Sequence, residues 1–149
     1  MPRPGTFALI LWATVQPNFV NAQDSLPVGD AAAGEKAFRQ CVACHVVKDP
    51  DGNILAGKNA KTGPNLYGIP GATAGGVEDF RYSKPLMAAN AAGVVWTEEA
   101  FSAFVMDPNA YIRQATDDDK ARTRMTFRVR KAEDAANLYA YLYSLANPQ

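Results

Sequence analysis

The sequence predicts an all-α fold: three to five helices joined by long loops. Three observations carry that reading. Apolar residues recur at helical spacing in separate stretches: Ala37, Phe38, Cys41 and Cys44, then Phe101, Phe104 and Val105, then Ala135, Leu138, Leu142 and Leu145. The stretches between them are rich in Gly, Pro, Asn and Asp. No convincing series of alternating strands is present.

The elements follow in order. Residues 23–29 form a short extended lead-in broken by Pro27 and Gly29. Asp30 caps a first helix that runs to about Cys44 and carries both cysteines on its apolar face. Gly34 lies on that side, where a glycine admits close approach of another backbone. Residues 48–76 read as a long connection with little regular structure, suited to wrapping something large. Ser83 caps a short helix from about Lys84 to Ala92, stopped by Gly93. Thr97 caps the next helix, with Glu98 and Glu99 where the helix dipole favours negative charge. Asp107-Pro108 ends it. Residues 109–130 read as a second long irregular region, and a last helix runs from about Lys131 to Ala146.

The chain has 149 residues and no net formal charge, with 48% hydrophobic and 20% charged residues. This is the size of one domain. Zero balance argues against a nucleic-acid binder. Arg3 precedes an apolar run, Phe7 to Val15, and Val20-Asn21-Ala22 follows. That pattern is a secretory signal, residues 1–22, cleaved after Ala22 to leave a domain of residues 23–149. The run is short of the ~20 residues that span a bilayer. Export places the mature chain in the periplasm if the cell is bacterial. A retained N-terminal anchor is the competing reading.

Cys41-Val42-Ala43-Cys44-His45 holds the only two cysteines and the only histidine. This is the C-x-x-C-H pattern of covalent haem c attachment. Each sulfur adds to one porphyrin vinyl group, and the adjacent imidazole faces the iron. A thioredoxin-like pair wants a βαβ setting. A structural zinc site wants four ligands. A plain disulfide leaves His45 unexplained.

The sixth iron position then decides the function. An open position admits gas or peroxide chemistry, whereas a thioether closes the iron, raises its potential and suits electron transfer. Beyond the leader the candidates are Met87, Met106 and Met125. Met87 and Met106 sit in helical stretches and read as packing. Met125 sits in a loop that can cross the far haem face. Spacing alone does not decide between a ligand and a gap-filler.

The motifs Gly34-x-x-x-Phe38, Cys41-Val42-Ala43-Cys44-His45, Lys61-Thr62-Gly63-Pro64-Asn65-Leu66, Arg124-Met125-Thr126-Phe127 and Leu138-Tyr139-Ala140-Tyr141-Leu142 occur in that order. From about Gly34 to Ala146 the chain resembles a class I c-type cytochrome, and within that class the bacterial cytochrome c2 group. The resemblance implies a cytochrome c fold around one covalent haem c, with His45 and Met125 as the metal ligands. It implies that the Pro64 carbonyl orients His45, that Tyr82 and Trp96 donate to a haem propionate, and that Phe127 borders the haem. Gly34 and Phe38 would cross Leu138 and Tyr141. It implies a one-electron carrier rather than an enzyme. The donor would be a membrane cytochrome bc complex, and the acceptor a photosynthetic reaction centre or terminal oxidase. The carrier would be a monomer that docks transiently through a basic ring: Lys58, Lys61, Arg122, Arg124, Arg128, Arg130 and Lys131. The rival reading is a haem enzyme or gas or peroxide sensor with a labile sixth ligand.

Two departures from the family pattern stand out. Gly71-Ala72-Thr73 lacks an arginine, and Phe104 stands where a tyrosine is usual near the methionine sulfur.

Overall fold

Asp30 starts the first helix by accepting the Ala32 and Ala33 N–H groups at 2.7 and 3.1 Å. The structure is a computed structural model, and it describes residues 26–148. The leader 1–22 therefore lies outside the described residues. Among the described residues there are five helices and one small hairpin: α1 (Ala31–Phe38), β1 (Val46–Lys48), β2 (Ile54–Gly57), α2 (Lys84–Ala91), α3 (Glu98–Met106), α4 (Pro108–Thr116) and α5 (Ala132–Ala146).

Helix α1 is shorter than its apolar spacing predicts. It ends at Phe38, and the chain tightens into three-residue turns, with Cys41 N–H donating to the Phe38 carbonyl at 2.8 Å. Cys44 and His45 both donate to the Cys41 carbonyl, at 3.1 and 2.9 Å. The C-x-x-C-H motif thus sits on a compact turn beyond the helix.

The hairpin is the small amount of regular structure at the start of the long connection expected to have little. β1 and β2 pair antiparallel, Val46 opposite Gly57. Asp49 closes the turn, accepting Asn53 N–H and Nδ2–H, each at 2.8 Å. Gly52 supplies the positive φ of 91°. Strands of three and four residues are too short to show alternation, which is why the pattern missed them. Asn65 extends the hairpin by bonding both the Lys48 N–H and the Lys48 carbonyl, at 2.9 and 2.7 Å.

Ser83 occupies the N-cap position of α2, but its side chain makes no capping bond. The helix starts instead on the fixed φ of Pro85. Thr97 does cap α3, accepting Ala100 N–H at 3.1 Å. The largest correction is α4, which falls inside the region expected to be irregular. Asp107 and Pro108 end α3 and start α4 at once: the Asp107 carboxylate accepts Ala110 N–H at 3.0 Å. Asp117, at φ 50°, ends α4 in the left-handed region.

The core gathers where α1 and α3 pack on α5. Phe38 meets Tyr141 at 5.6 Å between ring centres, and Phe101 meets Tyr139 at 5.6 Å. The α5 stripe behaves as its spacing predicts, with Ala135, Leu138 and Leu142 buried. Asn137 is also buried, and its Oδ1 accepts the Asp30 N–H at 2.7 Å, tying the chain's lead-in to α5. Among the described residues, no helix is long and apolar enough to cross a membrane.

Candidate haem site

The helices do not close on one another at the centre. They surround a cavity of about 350 Å³. The turn after α1 contributes Cys41, Cys44 and His45, and the following loop contributes Gly63 and Pro64. Tyr82 and Trp96 enter from either side of α2, and Met125 and Phe127 from the loop before α5. All eight residues singled out from sequence therefore line one space. Their long separations along the chain are closed by packing alone.

The His45 ring lies on the backbone of Gly63, where a Cβ would stand 2.6 Å from Nδ1. Nδ1 is 2.9 Å from the Pro64 carbonyl oxygen. A carbonyl can only accept, so this contact places the ring proton on Nδ1 and leaves the Nε2 lone pair free. Burial pushes the imidazole pKa below its usual value, and the Pro64 carbonyl partly opposes that shift. A neutral imidazole whose free nitrogen is oriented by a bond at the other is suited to bind a metal. Gly63 N–H donates to the Cys44 carbonyl at 2.7 Å, so the same loop holds motif and ring together.

Burial, with the neighbouring Cys44 adding to it, pushes the Cys41 thiol up to about 11. Cys41 and Cys44 do not form a disulfide with each other. Tyr82 is half-buried, and burial raises its pKa against an opposing backbone bond at Val77. Its ring meets Phe80 edge-on at 4.9 Å. Trp96 is buried against Phe104 at 4.9 Å. Phe127 lies at the rim, 39% exposed.

Met125 packs against the core, whereas Met87 is 47% exposed on α2. The packing role expected of Met87 therefore fails, while Met106 does pack against the core. The Met125 loop is tied at several points. Val129 N–H donates to the Val105 carbonyl at 2.8 Å. Arg124 Nη1 donates to the Arg81 carbonyl at 2.8 Å. Thr123 N–H donates to Asn109 Oδ1 at 2.8 Å, and the Thr123 hydroxyl donates to the Met125 carbonyl at 3.1 Å. Sequence reasoning missed Arg81 and Asn109, because each bonds across a separation no local pattern shows.

The remaining lining is apolar and comes from Phe38, Leu86, Phe101, Val105, Leu138 and Leu142. A flat macrocycle with two vinyl groups fits such a slot, since its faces need apolar walls and its edge needs the two thiols. Imidazole and thioether meet the donor preference of haem iron. Two thiols beside an imidazole, a thioether on a separate loop and apolar walls give this cavity the donor set and lining that a covalently attached haem requires.

The comparisons agree. The chain is 57% identical to cytochrome c2 of Rhodovulum adriaticum over 117 residues, covering 78% of this chain and 93% of that protein. It is 49% identical to cytochrome c2 of Cereibacter sphaeroides over 119 residues, covering 79% and 96%. The crystal structure of cytochrome c2 from Rhodobacter sphaeroides superposes with a TM-score of 0.76 at 49% identity, covering 78% of this chain and 95% of that one. No family model matches the chain. The chain belongs to the cytochrome c2 family, and it is a soluble electron carrier of that type with one covalent haem c.

Proposed function

We propose that Cys41 and Cys44 would hold the haem through thioether bonds and that His45 and Met125 would be its iron ligands. The single observation behind this reading is the cavity that collects both thiols, the Nδ1-protonated imidazole and the loop methionine. Bound haem supplies an iron that exchanges one electron between ferrous and ferric forms. Pro64 fixes the imidazole and strengthens Nε2 as a donor. Tyr82 and Trp96 offer O–H and N–H donors to a buried propionate, which needs partners away from water. Phe127 borders the exposed edge. Apolar walls exclude water, and two ligands held by separate loops keep reorganisation small. The chain turns over no substrate.

The electron donor is a membrane cytochrome bc complex, and the acceptor is a photosynthetic reaction centre or a terminal oxidase. The monomeric carrier docks on each transiently, in the periplasm, after removal of residues 1–22. This reading is supported by the exposed basic residues Arg122, Arg124, Arg130 and Lys131 beside the cavity-lining loop.

The test is the ferric visible and near-infrared spectrum, with Met125→Ala as control. A weak near-infrared thioether–iron band that Met125→Ala abolishes is the expected result. Absence of that band, with ready uptake of carbon monoxide by the ferrous wild type, overturns the reading in favour of an open-site enzyme or sensor.

A further inference from the structure

Met125 lies on a stretch between α4 and α5 that has no helix or strand of its own. Such a stretch opens easily unless bonds to fixed elements restrain it. A partly buried restraint that ties it to a helix on the side before Met125 is at Thr123. The Thr123 N–H donates to Asn109 Oδ1 at 2.8 Å in a partly buried setting. The Thr123 hydroxyl donates to the Met125 carbonyl at 3.1 Å, with Asn109 Oδ1 a longer alternative acceptor at 3.5 Å. Asn109 is the second residue of α4, whose start is fixed by Pro108 and the Asp107 cap. An amide oxygen on a rigid helix end thus reaches the methionine's own backbone through one intermediary. Asn109 itself does not line the cavity.

The geometry assigns Asn109 the role of a positioning residue that holds Met125 toward the iron. This inference rests on the reading of Met125 as axial ligand. Asn109 acts through Thr123 and does not line the cavity. Because the donor is a backbone N–H, the requirement falls on the acceptor at position 109. Aspartate supplies the same oxygen. Leucine has similar bulk, supplies none, and leaves the N–H unpaired.

The test uses the ferric holoprotein and imidazole as a competitor for the sixth position. Apparent imidazole affinity reports how often the thioether is displaced. Asn109→Leu is expected to tighten imidazole binding about five- to tenfold, the equivalent of one hydrogen bond. Asn109→Asp should stay within about twofold of the wild type, because it keeps the acceptor. Thermal unfolding of the ferrous form is followed in parallel. A merely structural role would move the unfolding midpoint and leave imidazole affinity unchanged. That result overturns the inference, as does an Asp variant that behaves like the Leu variant. If Met125→Ala leaves spectrum and imidazole binding unchanged, the ligand assignment and the inference both fall. If Met125→Ala abolishes the near-infrared band and Asn109→Leu changes nothing, the inference alone falls.

Discussion

Gly34 of α1 lies against the backbone of Asn137 in α5 so closely that no Cβ fits between them. A Cβ there would also stand 2.7 Å from the Cβ of Tyr141. The contact sets how near the first and last helices approach, and hence how far Phe38 reaches into the cavity wall. Gly34→Ala should lower stability by about 2–3 kcal/mol, because overpacking against a backbone outweighs the ~1 kcal/mol gain in helix propensity. Denaturant unfolding of the holoprotein checks this. A variant as stable as the wild type would show that the helices separate freely.

Gly63→Ala drives a methyl group into the face of the His45 ring. The ring must shift away from the Pro64 carbonyl, and its Nδ1–H bond weakens. Loss of that bond makes Nε2 a poorer donor and disfavours the ferric form. The reduction potential should therefore rise, on the order of 40 mV if the bond favours the ferric over the ferrous form by about 1 kcal/mol. Redox titration measures the shift, and a fall in potential would contradict the role given to Pro64.

Asp107 does two things at the α3–α4 junction. It caps α4 through Ala110 N–H and pairs with Arg128 at 3.2 Å. The pair is well exposed, so the cap dominates. Asp107→Ala should cost about 1 kcal/mol, and Asp107→Asn should recover most of it, since asparagine caps as well. Thermal melts of the two variants separate the cap from the charge.

Electron transfer to an acidic partner should slow as salt is added. Arg128 is partly neutralised by Asp107, but Lys58, Lys61, Arg122, Arg124, Arg130 and Lys131 stay exposed. A fall of about tenfold is expected between roughly 0.01 and 1 M ionic strength, as the Debye length shrinks from about 30 Å to about 3 Å. Stopped-flow rates across a salt series give the answer, and a flat profile removes the docking role of the basic ring.

By itself, the sequence determined the chemistry and the long helices. The spacing of Cys41, Cys44 and His45 is a local fact, legible because the thiols and imidazole act within one turn. The α5 stripe was legible because four apolar positions over about three turns repeat the same signal. Short elements were not: β1 and β2 hold too few residues to alternate, and Asp107-Pro108 ends one helix and begins the next with the same two residues. Only the tertiary structure decided which distant residues meet. It set the Gly34–Asn137 contact, the Thr123–Asn109 bond and the approach of Met125 to the cavity that His45 lines. Those contacts depend on how helices pack and loops close, and no residue's neighbours along the chain encode them.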